Sequence, residues 1–278
     1  MRLINRHSCG NAPIGLFDSG VGGLTVLRQL EQQLPNESVL YLGDTARLPY
    51  GTKTPEQILQ YVREILTWMT AEGAKLVIMA CNTSSALALE TVRLEFAIPI
   101  LGLILPGAKA AVQAGQRIGV IATQATVASH AYPNAVREIN PNAAIWQVAC
   151  PEFVPLIEQN QIDTPHTLQV AQRYLAPLLE QQIDTLVYGC THYPYLEPIL
   201  RQILAPEVQL VDPAKAVVTA AAQELDLLSL RHLQASAHRR ICVSGDPQSF
   251  ARVARHCLGY TPVVEQVCLP TRLLSQAK

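Results

Sequence analysis

The chain reads as an α/β protein of two pseudo-symmetric domains, each a mostly parallel sheet flanked by helices. Three observations predict this. Continuous apolar, β-branched runs alternate with amphipathic helical patterns from end to end, the loops between them are short, and one half of the chain echoes the other. Strands buried on both faces read as unbroken apolar runs. Their alternation with helices and short loops is the pattern of compact crossover units.

Taken in order, the polar start MRLINRHSCGNAP lacks the apolar centre of a signal peptide and reads as a loose extension. PIGLFD (13–18) is the first strand, followed by glycines and the helical pattern LTVLRQLEQQL. SVLYLG (38–43) and KLVIMA (75–80) are separated by PEQILQYVREILTWMT, apolar at helical spacing. SALALETVRLEF is the next helix, and PILGLI (99–104), RIGVIA (117–122) and AAIWQVA (143–149) are further strands. CPEFVPLIEQN is a short helical stretch, and TLQVAQRYLAPLLEQQ a long one before the strand DTLVYG (184–189). VQLVD (208–212), the helix AKAVVTAAAQELDLL, RICVSG (240–245) and a weaker PVVEQV (262–267) complete the series.

The 278 residues, 49% of them hydrophobic, suffice for two modest domains with a sizeable core. Lys plus Arg total 21 against 22 Asp plus Glu, with no basic run, so no nucleic-acid partner is expected. Apolar stretches stop well short of the ~20 residues of a membrane span, so no membrane partner is expected either. Seven scattered cysteines with no C-x-x-C pair suit reduced thiols in the cytoplasm and point to no metal site.

In parallel sheets, ligands bind beyond the carboxyl ends of the strands. Two such ends stand out. KLVIMACNTSSALAL (75–89) and DTLVYGCTHYPYLEP (184–198) each carry a cysteine between strand and helix. PIGLFDSGVGGLTV (13–26) and RIGVIATQATVASH (117–130) form a second matched pair, in the same order and at nearly the same spacing. A single buried cysteine is more often core filler than reagent. Two matched ones ask for another explanation.

A thiol at a helix N-terminus meets unpaired N–H groups, which favour thiolate and also hold carboxylates. Asn82, Thr83 and Ser84 after Cys81, and Thr191 and His192 after Cys190, add donors or cap the helices. If the two halves face one another, the thiols approach a ligand from opposite sides. One then removes a proton from a carbon while the other returns one, which is racemisation. Pyridoxal chemistry would need a suitably placed lysine. Of Lys53, Lys75, Lys109, Lys215 and Lys278, none lies in a glycine-rich phosphate cradle, so a cofactor-free route is expected.

Asp18 and Ser19 end the first strand, and GDTARLPYGTKTP supplies Asp44, Arg47, Tyr50 and Gly51 at the end of the next. A D-x-A-R turn is more often structural, and Glu158 by itself reads as a solvated helix residue.

The segments DSGVGGLTV, GDTARLPYG, ACNTSSA, CPEFVPLIE and GCTHYP resemble, in order, the signature segments of bacterial glutamate racemases. The resemblance spans about positions 14 to 213. It implies the aspartate/glutamate racemase fold, with the site between two domains, 1–104 plus 214–278 and 105–213. It also implies cofactor-independent interconversion of L- and D-glutamate, supplying D-glutamate for peptidoglycan. Cys81 and Cys190 would be the catalytic acid and base, assisted by Asp18, His192 and Glu158. Ser19, Tyr50, Gly51, Asn82, Thr83, Thr191 and His192, with Asp18, would contact substrate, and Asp44 would support them. Glu152 does not match the family's acidic position. Members are commonly dimers, so a cytoplasmic homodimer is expected.

Alternatives remain at this stage. An aspartate or broader racemase would share the two cysteine segments. A hydrolase could use Cys190 with His192, but residues two apart on a loop seldom meet well, and Cys81 would have no role. Some glutamate racemases also inhibit a topoisomerase, and no feature here separates that role.

Overall fold

A computed structural model describes residues 12–233 and 237–270; apart from Ala12, the extension expected over 1–12 lies outside them. Ten strands are present among these residues. They are β1 (Ile14–Asp18), β2 (Val39–Gly43), β3 (Leu76–Met79), β4 (Ile100–Gly102), β5 (Arg117–Ala122), β6 (Ala144–Ala149), β7 (Thr185–Gly189), β8 (Gln209–Val211), β9 (Arg239–Val243) and β10 (Val264–Gln266). Six form one sheet in the order β10-β9-β2-β1-β3-β4, and four form another, β6-β5-β7-β8. Every pairing between them is parallel. The run β2-β1-β3-β4 repeats as β6-β5-β7-β8, so β1 corresponds to β5 and β3 to β7. That is the correspondence the paired sequence segments predict.

The helices are α1 (Leu24–Gln33), α2 (Pro55–Ala71), α3 (Asn82–Glu95), α4 (Ile104–Ala114), α5 (Gln124–Ala128), α6 (Ala131–Ile139), α7 (Phe153–Glu158), α8 (Pro165–Glu180), α9 (Glu197–Ile203), α10 (Pro213–Leu227) and α11 (Pro247–Leu258). Their starts follow local chemistry. Thr54 and Gln57 form a capping box before α2, and Thr164, Asp212 and Asp246 cap α8, α10 and α11. Each of these four helices begins with proline, whose missing N–H costs nothing at that position.

Both faces of each sheet are covered, which explains the unbroken apolar strands. Ile14, Leu16 and Ile78 pack with Leu24, Leu27 and Val217 from α1 and α10, while Phe17, Leu42 and Val77 pack with Val62, Ile65 and Val92 from α2 and α3. In the second sheet, Ile121, Leu186 and Tyr188 meet Leu175 and Leu178, and Ile118, Val120 and Val187 meet Ala108 and Val136.

Most strands are trimmed at their ends relative to the sequence runs, and in two of them a local hydrogen bond shows why. PILGLI retains only Ile100–Gly102, because the Leu103 N–H donates to Ser85 Oγ at 3.2 Å and Ile104 starts α4. VQLVD retains Gln209–Val211, because Asp212 turns to accept from the Ala214 N–H at 2.9 Å.

Lys75 has a structural task. Its buried Nζ lies 2.6 Å from Glu37 Oε2 and 2.8 Å from the Leu230 carbonyl, and Glu37 Oε1 accepts from the His232 N–H at 2.7 Å. The pair ties β3 to the segment after α10. Removing one partner strands a buried charge, so Lys75→Met should lower stability by about 3–5 kcal/mol. Urea unfolding should show a lower midpoint, and adding Glu37→Gln should restore part of the loss.

Candidate active site

The carboxyl ends of β1, β3, β5, β6 and β7 converge on one cavity of about 130 Å³, room for a ligand of amino-acid size. Asp18, Ser19, Tyr50, Gly51, Cys81, Asn82 and Thr83 line it from the first sheet's side, and Cys190, Thr191 and His192 from the second. Ten of the twelve residues to which the resemblance gives a role therefore line one cavity. Glu158 and Asp44 lie behind it, each one contact removed.

Cys81 and Cys190 hold equivalent places, just beyond β3 and β7, and each is 6% exposed. Their surroundings differ. Burial, and then the negative charge of Asp18, pushes the Cys81 thiol up to about 12. Beside Cys190 stands an imidazole instead: Cys190 Sγ is 3.8 Å from His192 Nδ1, and His192 Nε2 is 2.8 Å from Glu158 Oε1. The two side chains lie side by side although residues two apart on a loop seldom meet well. The chain turns tightly after β7 into the short helical stretch Tyr193–Leu196, which swings the ring back toward the sulfur. Burial alone would depress His192. Its hydrogen bonds to Cys190 and Glu158 outweigh that and raise it well above its ordinary value. The sign is clear: a raised histidine keeps its proton at neutral pH, so positive charge stands beside Cys190.

Asp18 is held by the loop that follows it. Its Oδ2 accepts from the Gly23 N–H at 2.7 Å, while Oδ1 is buried with no hydrogen-bond partner among the described residues. Burial raises its pKa, offset in part by His192 and by the N–H groups of Gly23, Ser19 and Gly20. A side chain at Gly22 would strike His192 Nδ1 and Thr191 Oγ1, each 2.5 Å from the added carbon. Glycine is needed here because the two cysteine-bearing halves touch.

Tyr50 donates a short hydrogen bond to buried Asp44 Oδ2, and Asp44 Oδ1 accepts from Ser244 Oγ at 2.7 Å. Asp44 thus anchors Tyr50 rather than facing the cavity. Arg47 pairs with Glu64 at 2.7 Å, in keeping with a structural turn. Glu152 is occupied by Arg173 and by Tyr174, whose hydroxyl donates at 2.6 Å.

Cavity residues that sequence reasoning missed include Thr123, Gln124 and Cys150. Thr123 follows β5, the counterpart of β1, so the internal echo held the signal: it stands where Ser19 stands in the first half. Its hydroxyl is 2.9 Å from Thr83 Oγ1. Cys150 follows β6, and burial raises its thiol strongly. No lysine or arginine lines the cavity among the described residues, so apart from His192 a bound carboxylate would meet neutral donors and the N-terminus of α3.

Residues 14–221 match the family described as Asp/Glu/Hydantoin racemase. The chain belongs to that family. It is 62% identical over 269 residues to a glutamate racemase of Gloeothece citriformis, covering 97% of both chains. In structure it resembles a glutamate racemase isoform of Bacillus anthracis, with TM-score 0.91 and 34% identity over 95% of this chain and all of that one. It also resembles the Francisella tularensis glutamate racemase in complex with D-glutamate, with TM-score 0.88 and 33% identity over 93% of this chain and 98% of the other. No helix among the described residues is long and apolar enough to cross a membrane.

Two measurements check the electrostatics of this cavity. With no ligand present, iodoacetamide labelling of Cys81, followed by peptide mass spectrometry, should rise about tenfold per pH unit from pH 7 to 10 without a plateau. A plateau near pH 8 would contradict the raised thiol. His192, followed by ring ¹⁵N shifts, should titrate above the ordinary ~6.5, and Glu158→Gln should lower its midpoint.

Proposed function

We propose that this protein interconverts L- and D-glutamate without a bound cofactor, using Cys81 and Cys190 as paired acid and base. One observation carries the reading: thiols from equivalent strand ends of two similar sheets wall the same small cavity. A hydrolase would use one thiol and leave the other unexplained. With the substrate α-carbon between them, one sulfur takes the Cα proton as thiolate while the opposite thiol delivers its own proton to the other face. One C–H bond breaks and one forms, and the two sulfurs exchange protonation states.

The surroundings support a division of roles. Cys81 carries its proton at neutral pH, with the negative charge of Asp18 in the same cavity wall favouring the thiol. His192, backed by Glu158, offers positive charge to a thiolate at Cys190. Asn82, Thr83, Ser19 and Thr191 supply neutral donors for the substrate carboxylates, with Tyr50 and Gly51 closing the cavity and Asp44 holding Tyr50. Donors at the α-carboxylate also stabilise the charge that develops when Cα–H is broken.

We infer a division of the chain into 1–104 plus 214–278 and 105–213, supported by β9 and β10 joining β2 in the first sheet. We further infer a homodimer working in the cytoplasm and supplying peptidoglycan synthesis. Exposed Leu94, Leu105 and Leu227 on α3, α4 and α10 offer apolar surface that a second copy could cover.

In deuterated water without pyridoxal phosphate, L-glutamate should lose optical activity while its Cα gains deuterium. Absence of both would sink this reading, and activity on aspartate alone would move it to a neighbouring substrate. Cys81→Ala and Cys190→Ala should each lower kcat by about 10²–10⁴-fold, the usual range for a lost general acid or base.

A further inference from the structure

We propose that Tyr132 is a positioning residue for substrate binding, its phenol setting the amide of Asn82 so that Nδ2 faces the substrate carboxylate. This rests on the reading of Asn82 as a substrate contact. Tyr132 is on α6, fully buried against the second sheet, and does not line the cavity. Its O–H donates to Asn82 Oδ1 at 2.7 Å, reaching from one sheet's layer to the other's. Asn82 is the first residue of α3 and lines the cavity, and its buried Nδ2 has no partner among the described residues.

An amide has an accepting end and a donating end, and a carboxylate can use only the donating one. Left to itself, Asn82 could turn over and present Oδ1, which would repel a carboxylate. The phenol hydrogen removes that freedom, because Asn82 Oδ1 is its one acceptor among the described residues. Burial and the charge of Asp212 keep the phenol protonated, so the hydrogen is always there to give. The hydroxyl is closely packed as well: a carbon added at Gly107 would come within 3.2 Å of it. An unpartnered buried donor is costly to leave unmade. The pair Tyr132–Asn82 holds one such donor ready in the cavity wall, and a carboxylate satisfies it.

The test is steady-state kinetics in both directions for wild type, Tyr132→Phe, Asn82→Ala and the double variant, with thermal unfolding of each. Tyr132→Phe keeps the ring and should raise KM for glutamate about five- to tenfold, the size of one lost hydrogen bond, with kcat within about twofold. The effect should vanish in the Asn82→Ala background, since there is no amide left to orient. A raised KM in Asn82→Ala with an unmoved KM in Tyr132→Phe overturns the positioning role alone, as do additive effects in the double variant. Unmoved KM in both overturns it together with the Asn82 reading. Asn82→Asp gives an independent check, because it still accepts the Tyr132 hydrogen but has nothing to donate. It should bind glutamate as poorly as Asn82→Ala, and a wild-type KM there would also overturn the proposal.

Discussion

The cost of ionising a sulfur out of water governs this site. A thiol at the carboxyl end of a buried parallel strand is dry by construction, and dryness favours S–H over S⁻. Racemisation by the proposed pair of thiols needs one sulfur in each state, with each able to change places. Every charged group at the cavity bears on that requirement. Asp18 holds negative charge near Cys81, and His192 holds positive charge beside Cys190. Two geometrically equivalent cysteines thereby become chemically unlike. The same dryness makes the neutral donors effective, since a hydrogen bond to a carboxylate is stronger where water does not compete.

That arrangement requires the two sheets to be held in register. Four contacts do this at the cavity itself. Gly22 lets the β1–α1 loop lie against Thr191 and His192, and Gly51 lies against Thr123. Thr83 meets Thr123 and Thr126 at 2.9 and 3.3 Å, and Asn82 meets Tyr132. The residues immediately after Cys81 therefore serve twice, as donors at the head of α3 and as links to the opposite half. If Asn82 and Thr83 hold substrate as proposed, substrate affinity and the closeness of the two halves become one property, because the same side chains decide both.

Most of the fold was legible because parallel strands buried on both faces announce themselves as apolar runs, and all ten were found. The strand ends were not, since a local hydrogen bond such as Ser85 to Leu103 or the Asp212 cap decides where pairing stops. The cysteines were legible because they recur in matched settings. His192 is legible as an attendant of Cys190 only through the resemblance carried by GCTHYP, because sequence spacing alone does not show the turn after β7. Tyr132 carried no signal at all. In the sequence it is one tyrosine among nine on an ordinary amphipathic helix, and only the fold brings its hydroxyl to Asn82.

The unlike environments of the two thiols raise a question that thermodynamics answers. L- and D-glutamate are mirror images with equal free energies in water, so the equilibrium constant between them is one whatever the protein does. The ratio kcat/KM must then be the same in both directions, because the two paths share one highest transition state and start from levels of equal energy. An asymmetric site can still favour one enantiomer in binding, provided kcat for that direction falls in proportion. The carboxylate at Cys81 and the imidazolium at Cys190 therefore cannot bias the product. What they can do is lower the barrier common to both directions and set which protonation state the free enzyme rests in. Asymmetry at this site acts on how readily the resting enzyme is charged for each substrate, and the mirror relation between the substrates returns it to balance.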